Sequence, residues 1–210
     1  MSSSEGDYQT LSPSGYSAHA AAEETAGVPR FPGRLEAYGV VLERMTGEHL
    51  EMVREWRTSP EISRYMVYQD PITPVMQQQW FDSLDPQRDL HYIIRYQDVP
   101  CGLADVKRID WAAKTCNGGI FMTPDVWNTE VPIRATFCAC DFIFFDLGLE
   151  VMLSKVLKTN KRAIRFNLFQ GYRILNEEDD ASPVYEIRLD KDDYDRATRG
   201  FRDFLARRSD

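Results

Sequence analysis

VMLSKVLKTNKRAIRFNLFQGYR, Val151 to Arg173, decides how this chain folds. Its first seven residues are apolar and β-branched enough for a buried strand, and Asn160 is a good N-cap for the helix that follows. Gly171 ends that helix, because glycine takes the left-handed conformation of a helix stop at little cost. Upstream, Ile133, Phe137, Phe144 and Leu147 recur at helical spacing from Pro132 onward, and Pro132 suits a first-turn position. A strand, this long helix and the strand Val151 to Leu157 form a crossover unit. Such units are right-handed and open a crevice at the strand ends where small ligands bind.

The flanking sequence fills in a sheet. Leu35 to Arg44 reads as a first strand, and Thr46 begins a helix with Leu50, Val53 and Trp56 on one face. Ser59 with Pro60, and Thr73 with Pro74, start two more helices, the first through Tyr65 and the second to about Leu84. HYIIRY, LADVKRI and GGIFM follow as three strands of an antiparallel meander, separated by Asp98 to Gly102 and by Asp110 to Asn117. VYEIRL is a final strand, and an acidic-then-basic helix runs from Asp192 to Arg208, in the order that suits the helix dipole. Glu177 to Asp180 read as a solvated hairpin tip. The expected fold class is mixed α/β: a mostly antiparallel sheet flanked by helices, with one parallel pair.

At 210 residues and 43% hydrophobic content the chain builds one good core. Residues 1–34, rich in Ser, Gly, Ala and Glu, read as a disordered leader, and residues 35–210 as a single domain. A net charge of -8 argues against nucleic acid and anionic membranes as partners, since both need clustered Lys and Arg. No apolar run is long enough to span a membrane, and the acidic start does not fit a signal peptide. Cys101, Cys116, Cys138 and Cys140 lack metal-ligand spacing, so reduced thiols, a cytoplasmic location and no metal are expected. Oligomeric state is not legible.

Asn160, Ala163, Gly171 and Tyr172 fit a strand, Asn, Ala, helix, Gly-Tyr signature, which resembles the GNAT superfamily of N-acetyltransferases. The likeness extends over roughly residues 35 to 190. It is closest in character to the branch that acetylates ribosomal proteins and nucleotide-linked amino sugars. The resemblance implies acetyl-CoA as co-substrate, with the backbone of Ile120, Phe121 and Met122 pairing with the pantetheine arm. The segment Val126 to Ile133, with Trp127, Val131, Ile133 and then Arg134, would face the phosphates, because helix amides and the positive helix end favour an anion. Gly118 and Gly119 would permit a bulge beside the thioester.

Two positions depart from the family pattern. Where that pattern has Gln or Arg, then Gly, then Gly or Ala, this chain has Trp127, Glu130 and Pro132. A Glu130 carboxylate ~5 Å from a phosphate is repelled by roughly 3 kcal/mol at an effective dielectric near 20. Arg134 or Lys158 offers compensation. At Asn167 familiar members carry a tyrosine that protonates the leaving thiolate; asparagine donates a hydrogen bond but is no acid. Asn160 and Asn167 are therefore expected at the thioester, Asn160 equally as a cap alone. Asp105 and His91 are the candidate groups for deprotonating the amine, Asp105 the preferred catalytic carboxylate.

The acceptor side is expected in EWRTSPEISRYM and TPVMQQQWF, through Trp56, Arg57, Tyr65, Met66 and Trp80, with His91 nearby. Arg57 suits a phosphate bidentately, and the aromatic rings suit a base or sugar face. Trp56 and Trp80 at helical spacing also read as core. The expected function is acetyl transfer from acetyl-CoA to a primary amine of a small molecule, with a nucleotide-linked amino sugar as the resembling acceptor. Two alternatives stay open: a GNAT-fold binding or scaffold protein without turnover, and an acetyltransferase of protein N-termini or ribosomal proteins.

Overall fold

The computed structural model describes residues 31–208. The leader expected over residues 1–34 lies outside the described residues as far as residue 30. Eight strands form one sheet in the order β1-β2-β3-β4-β5-β6-β8-β7. β1 (Arg34–Ala37), β2 (Val40–Arg44), β3 (Leu90–Tyr96), β4 (Val99–Asp110) and β5 (Thr115–Met122) are the antiparallel meander. β6 (Val151–Leu157) pairs parallel to β5, and β8 (Val184–Asp190) joins it antiparallel, with β7 (Arg173–Ile174) at the edge.

The expected first strand over Leu35 to Arg44 is instead a hairpin. Tyr38 and Gly39 turn at φ 57° and 71°, the two-residue geometry that matches strand twist. A tyrosine tolerates that conformation here because its ring is buried and its hydroxyl donates to Asp141 Oδ2 at 2.5 Å. Likewise β4 starts at Val99, and the turn before it is confined to Gln97 and Asp98, both at positive φ. β5 starts at Thr115, earlier than the polar link suggested.

The helices flank the sheet on both faces. α1 (Leu50–Thr58), α2 (Pro60–Ser63) and α3 (Pro74–Asp82) cover one, where Met45, Leu50, Val53, Ile93 and Leu103 form a core with Trp56, Trp80 and Phe121. Thr73 caps α3 by accepting from the Met76 amide at 3.2 Å, with Pro74 at its first position. On the other face, α4 (Val131–Asp141) runs on through a π-helical turn, Phe142–Asp146, into Leu147. Phe137, Phe144, Tyr92, Leu189 and Tyr194 anchor the larger core there. α5 (Lys161–Phe169) follows β6, and α6 (Lys191–Ala206) closes the fold. Buried Asp141 ties α6 down, accepting from Arg202 at 2.9 Å and from the Tyr194 hydroxyl at 3.0 Å. With the Tyr38 hydroxyl these donors compensate the buried carboxylate, which would be costly unpaired.

Candidate functional site

The crevice begins where a ladder stops. β5 and β6 pair only from Thr115 with Val151 to Asn117 with Leu153, and beyond that the strands part. The last link is a side chain, the Ser154 hydroxyl donating to the Gly118 carbonyl at 2.8 Å. Thr123 N–H points to β4, bonding the Cys101 carbonyl at 2.8 Å, so strand alternation turns the backbone of Gly118, Ile120 and Met122 toward the crevice. The Met122 carbonyl is taken by the Trp127 indole at 2.8 Å, which leaves the Ile120 N–H and C=O facing the gap. This open edge fits an amide-bearing arm laid along it. The bulge expected at Gly118 and Gly119 is absent: both pair regularly with Val106 and Asp105, and the ladder shifts instead at Arg108, φ 52°.

Two residues past Met122, Pro124–Val126 makes a single helical turn, and Trp127, held by its indole bond, leads into α4. The start of α4 fits an anion less well than the strand edge fits an arm. Of the first-turn amides, Val131 N–H is bonded to the Thr129 hydroxyl at 3.1 Å, and Pro132 has none. Glu130 already puts a carboxylate there and pairs with Arg134 at 2.9 Å. Arg134 is anchored from below by the Tyr38 carbonyl at 2.7 Å. Its guanidinium pulls the exposed Glu130 carboxyl below the usual range. Val131 is buried and Ile133 packs against the core, so these two shape the helix end rather than line an open groove.

On the opposite lip, Asn160 caps α5: its side-chain oxygen accepts from the Ala163 amide at 3.1 Å, which leaves its amide hydrogens unspent by the cap. Asn167 is half-buried two turns on, its carbonyl accepting from Tyr172 N–H as Gly171 turns at φ 99°. Tyr172 itself is buried in the main core, which raises its hydroxyl pKa far above the ordinary value.

The strongest constellation lies one strand inward. Asp105 on β4 stands between His91 on β3 and Gly119 on β5 in the register. A side chain at 119 would meet it, since a Cβ there falls 2.8 Å from Asp105 Oδ1. Glycine at this position lets the carboxylate lean over β5 just where β5 leaves β6. Lys107 Nζ sits 2.9 Å from the same oxygen, but out of line for a hydrogen bond, so Oδ1 is buried without an aligned donor. His91 is 3% exposed and its Nδ1 is also partnerless. Burial pushes its pKa down to about 4, the nearby Asp105 charge offsetting only part of this. A neutral His91 also borders a cavity of about 120 Å³ with Arg44, Phe81 and Leu84.

The wall over this constellation comes from α1, α2 and α3. Trp56 stands edge-on to Phe121 at 6.3 Å and Trp80 edge-on to His91 at 5.0 Å, so both tryptophans are absorbed in packing, as their helical spacing suggested. Tyr65, 37% exposed, packs against Trp127 at 5.9 Å and keeps an open face; Met66 beside it is half-buried. Arg57, at the end of α1, is half-buried, and desolvation lowers its pKa while the charges of Asp105 and Tyr68 oppose that. Sequence reading placed Gly119 beside the thioester but not against Asp105, and missed Lys107, Ser154 and buried Gln77. The period of two along LADVKRI puts Lys107 beside Asp105, a signal that was there to use.

Among the described residues, no group of three His, Cys, Asp or Glu side chains is arranged to hold a metal, and no helix is long and apolar enough to cross a membrane.

Residues 40–171 match the family described as "Acetyltransferase (GNAT) domain". No curated protein matches the chain. Among solved structures, spermidine N-acetyltransferase from Vibrio cholerae, in complex with CoA and spermine, superposes with a TM-score of 0.65 at 14% identity, over 74% of this chain and 98% of that one. The same enzyme's dodecameric structure in an intermediate state gives 0.60 at 14% identity, over 74% and 96%. A domain from Methanocaldococcus jannaschii DSM 2661 gives 0.62 at 15% identity, over 72% and 97%. At these identities the likeness is one of fold.

Proposed function

Because this chain belongs to the GNAT acetyltransferase family, whose acyl donor is acetyl-CoA, we propose that it moves an acetyl group to the primary amine of a small molecule, with Asp105 receiving the amine. The observation that carries this reading is the Asp105 carboxylate, lying across Gly119 beside the point where β5 and β6 part. Bound acetyl-CoA supplies the thioester. Ile120 offers its N–H and C=O to the pantetheine arm, and the amide hydrogens of Asn160, with Asn167 behind, are the donors on the thiolate side. Trp127, Val131, Ile133 and Arg134 form the phosphate end, where Glu130 has to release Arg134.

An amine of pKa near 10 arrives protonated at neutral pH, so its lone pair must be freed before it attacks the thioester carbonyl. The Asp105 carboxylate accepts that proton. The new C–N bond forms as the C–S bond breaks, and the second amine proton leaves to the departing sulfur through water. Lys107 Nζ lies 2.9 Å from that carboxylate. Trp56, Trp80, Met66 and His91 are the walls of the acceptor site, and Tyr65 is its open aromatic face.

For the acceptor, a nucleotide-linked amino sugar suits Arg57 and Tyr65; spermidine, the substrate named for the Vibrio enzyme, would need more carboxylates than Asp105. A protein N-terminus would favour an acidic pocket, and here Asp105 is flanked by Lys107. Loss of activity in Asp105→Asn, by roughly 10² to 10⁴ in turnover with acetyl-CoA binding intact, tests the reading. A second reading, a binding module without turnover, is favoured by Glu130 bound to Arg134 and by Pro132; unimpaired donor binding with no amine acetylated would support it.

A further inference from the structure

We propose that the acceptor carries an anionic group, phosphate or carboxylate, beside its amine, and that Arg57 binds that anion while Asp105 takes the amine; this rests on the acetyl-transfer reading above. The argument starts from Arg57. It is half-buried at the end of α1, and its guanidinium makes no ion pair or hydrogen bond among the described residues. The other arginines with comparable burial are all engaged: Arg44 with the Asp89 carbonyl, Arg54 with Glu51, Arg95 with Glu43, Arg134 with Glu130, Arg188 with Asp190, and Arg202 with Asp141. A guanidinium held in place by its half-buried stem, with its nitrogens unpaired but still accessible, is set to take an anion in a charge-assisted pair.

Its place in the fold says what that something is attached to. Trp56, the residue before it, rests on Phe121, and Phe121 pairs with Leu103 two residues along from the Gly119 and Asp105 pair on the same face of the sheet. Arg57 follows Trp56 on α1, near enough to that carboxylate for the Asp105 charge to act on it. Lys107 already meets Asp105 at 2.9 Å, so the site holds two cations to one anion before any substrate enters. A polyamine would bring further positive charge to a site with a surplus of it. An amine with its own anion restores the balance, with the fork of Arg57 matched to the planar oxygens of a carboxylate or phosphate. One more donor waits on the helix covering this face: Gln77 of α3 is 2% exposed, and its Nε2 has no partner.

The test measures thiol release from acetyl-CoA with four acceptors: an amino-sugar phosphate, an α-amino acid, the same amino sugar without phosphate, and a linear polyamine. Wild type should prefer one of the two anionic acceptors, and which one tells phosphate from carboxylate. Arg57→Gln should reduce the preference for the anionic acceptor over the amino sugar without phosphate by about 30-fold, seen in KM rather than kcat, as loss of a charged hydrogen-bond pair implies. Arg57→Lys, which keeps the charge and loses the fork, should retain part of it. Preference for the polyamine, or the same discrimination in Arg57→Gln, overturns the proposal. Thiol release with none of the four would count against the acetyl-transfer reading instead. Calorimetry with the two anionic amines then decides: binding that weakens in Arg57→Gln upholds the anion site, and no binding to wild type overturns it.

Discussion

Asp105 and Gly119 face each other across β4 and β5 so closely that the carboxylate occupies the space a Cβ at 119 would need, 2.8 Å from Oδ1. A glycine in a strand interior usually weakens it. Here it sets where a charge sits.

Gly119→Ala should therefore push Asp105 off the mouth of the crevice. Displacement of a reacting group by about 1 Å lowers turnover on the order of 100-fold. Steady-state kinetics and donor binding together check this: kcat should fall while acetyl-CoA affinity holds, and an unchanged kcat would remove Asp105 from the reaction.

Asn160→Ala separates the cap from the site. Loss of the bond to the Ala163 amide should cost about 1 kcal/mol of stability in denaturant unfolding. A fall in acetylation well beyond what that instability explains marks the side-chain amide as a contact on the thiolate side. Equal turnover would leave it a cap alone.

His91 makes stability depend on pH. Its folded pKa, about 4, is below the unfolded value near 6.5, so between these the unfolded chain binds the extra proton. Stability from this group is full above pH 6.5 and falls as pH drops toward 4, by about 3 kcal/mol in all. Asp146, pushed up to about 6, has the opposite sign, its contribution being lost as pH rises through 6. The comparison of wild type with His91→Gln at pH 7 and 4.5 cancels Asp146, and the variant should lack the loss on acidification. Parallel curves would mean that His91 takes up its proton while folded.

Glu130→Gln breaks the ion pair with Arg134 and removes a carboxylate from the helix end where phosphates are expected. Acetyl-CoA should bind several-fold tighter, with the gain shrinking as salt is raised. An unchanged dissociation constant would mean that Glu130 already turns away when the donor binds.

The sequence carried the crossover almost residue for residue. Val151 to Leu157, the Asn160 cap and the Gly171 stop stand where spacing and cap chemistry put them. It misled at Tyr38, because a bulky residue at positive φ is not a turn signal, and only the buried Asp141 bond makes it one. Asp105 was legible as a strand carboxylate beside the crevice. The partners that give it direction were not: Gly119 and Lys107 act through register and alternation, and Arg57 through a tertiary approach that no local pattern encodes. Glu130 stood out as a misfit, but its pairing with Arg134 shows how the chain accommodates it.

The most direct test is calorimetric titration of the protein with acetyl-CoA, with desulfo-CoA and ATP as controls. One-to-one binding in the micromolar range, shared by desulfo-CoA and absent with ATP, is the expected result, since the proposal lays the pantetheine arm along the open edge at Ile120. No binding up to millimolar concentrations would contradict the account, leaving the crevice between β5 and β6 without its donor and Asp105 without a reaction to serve.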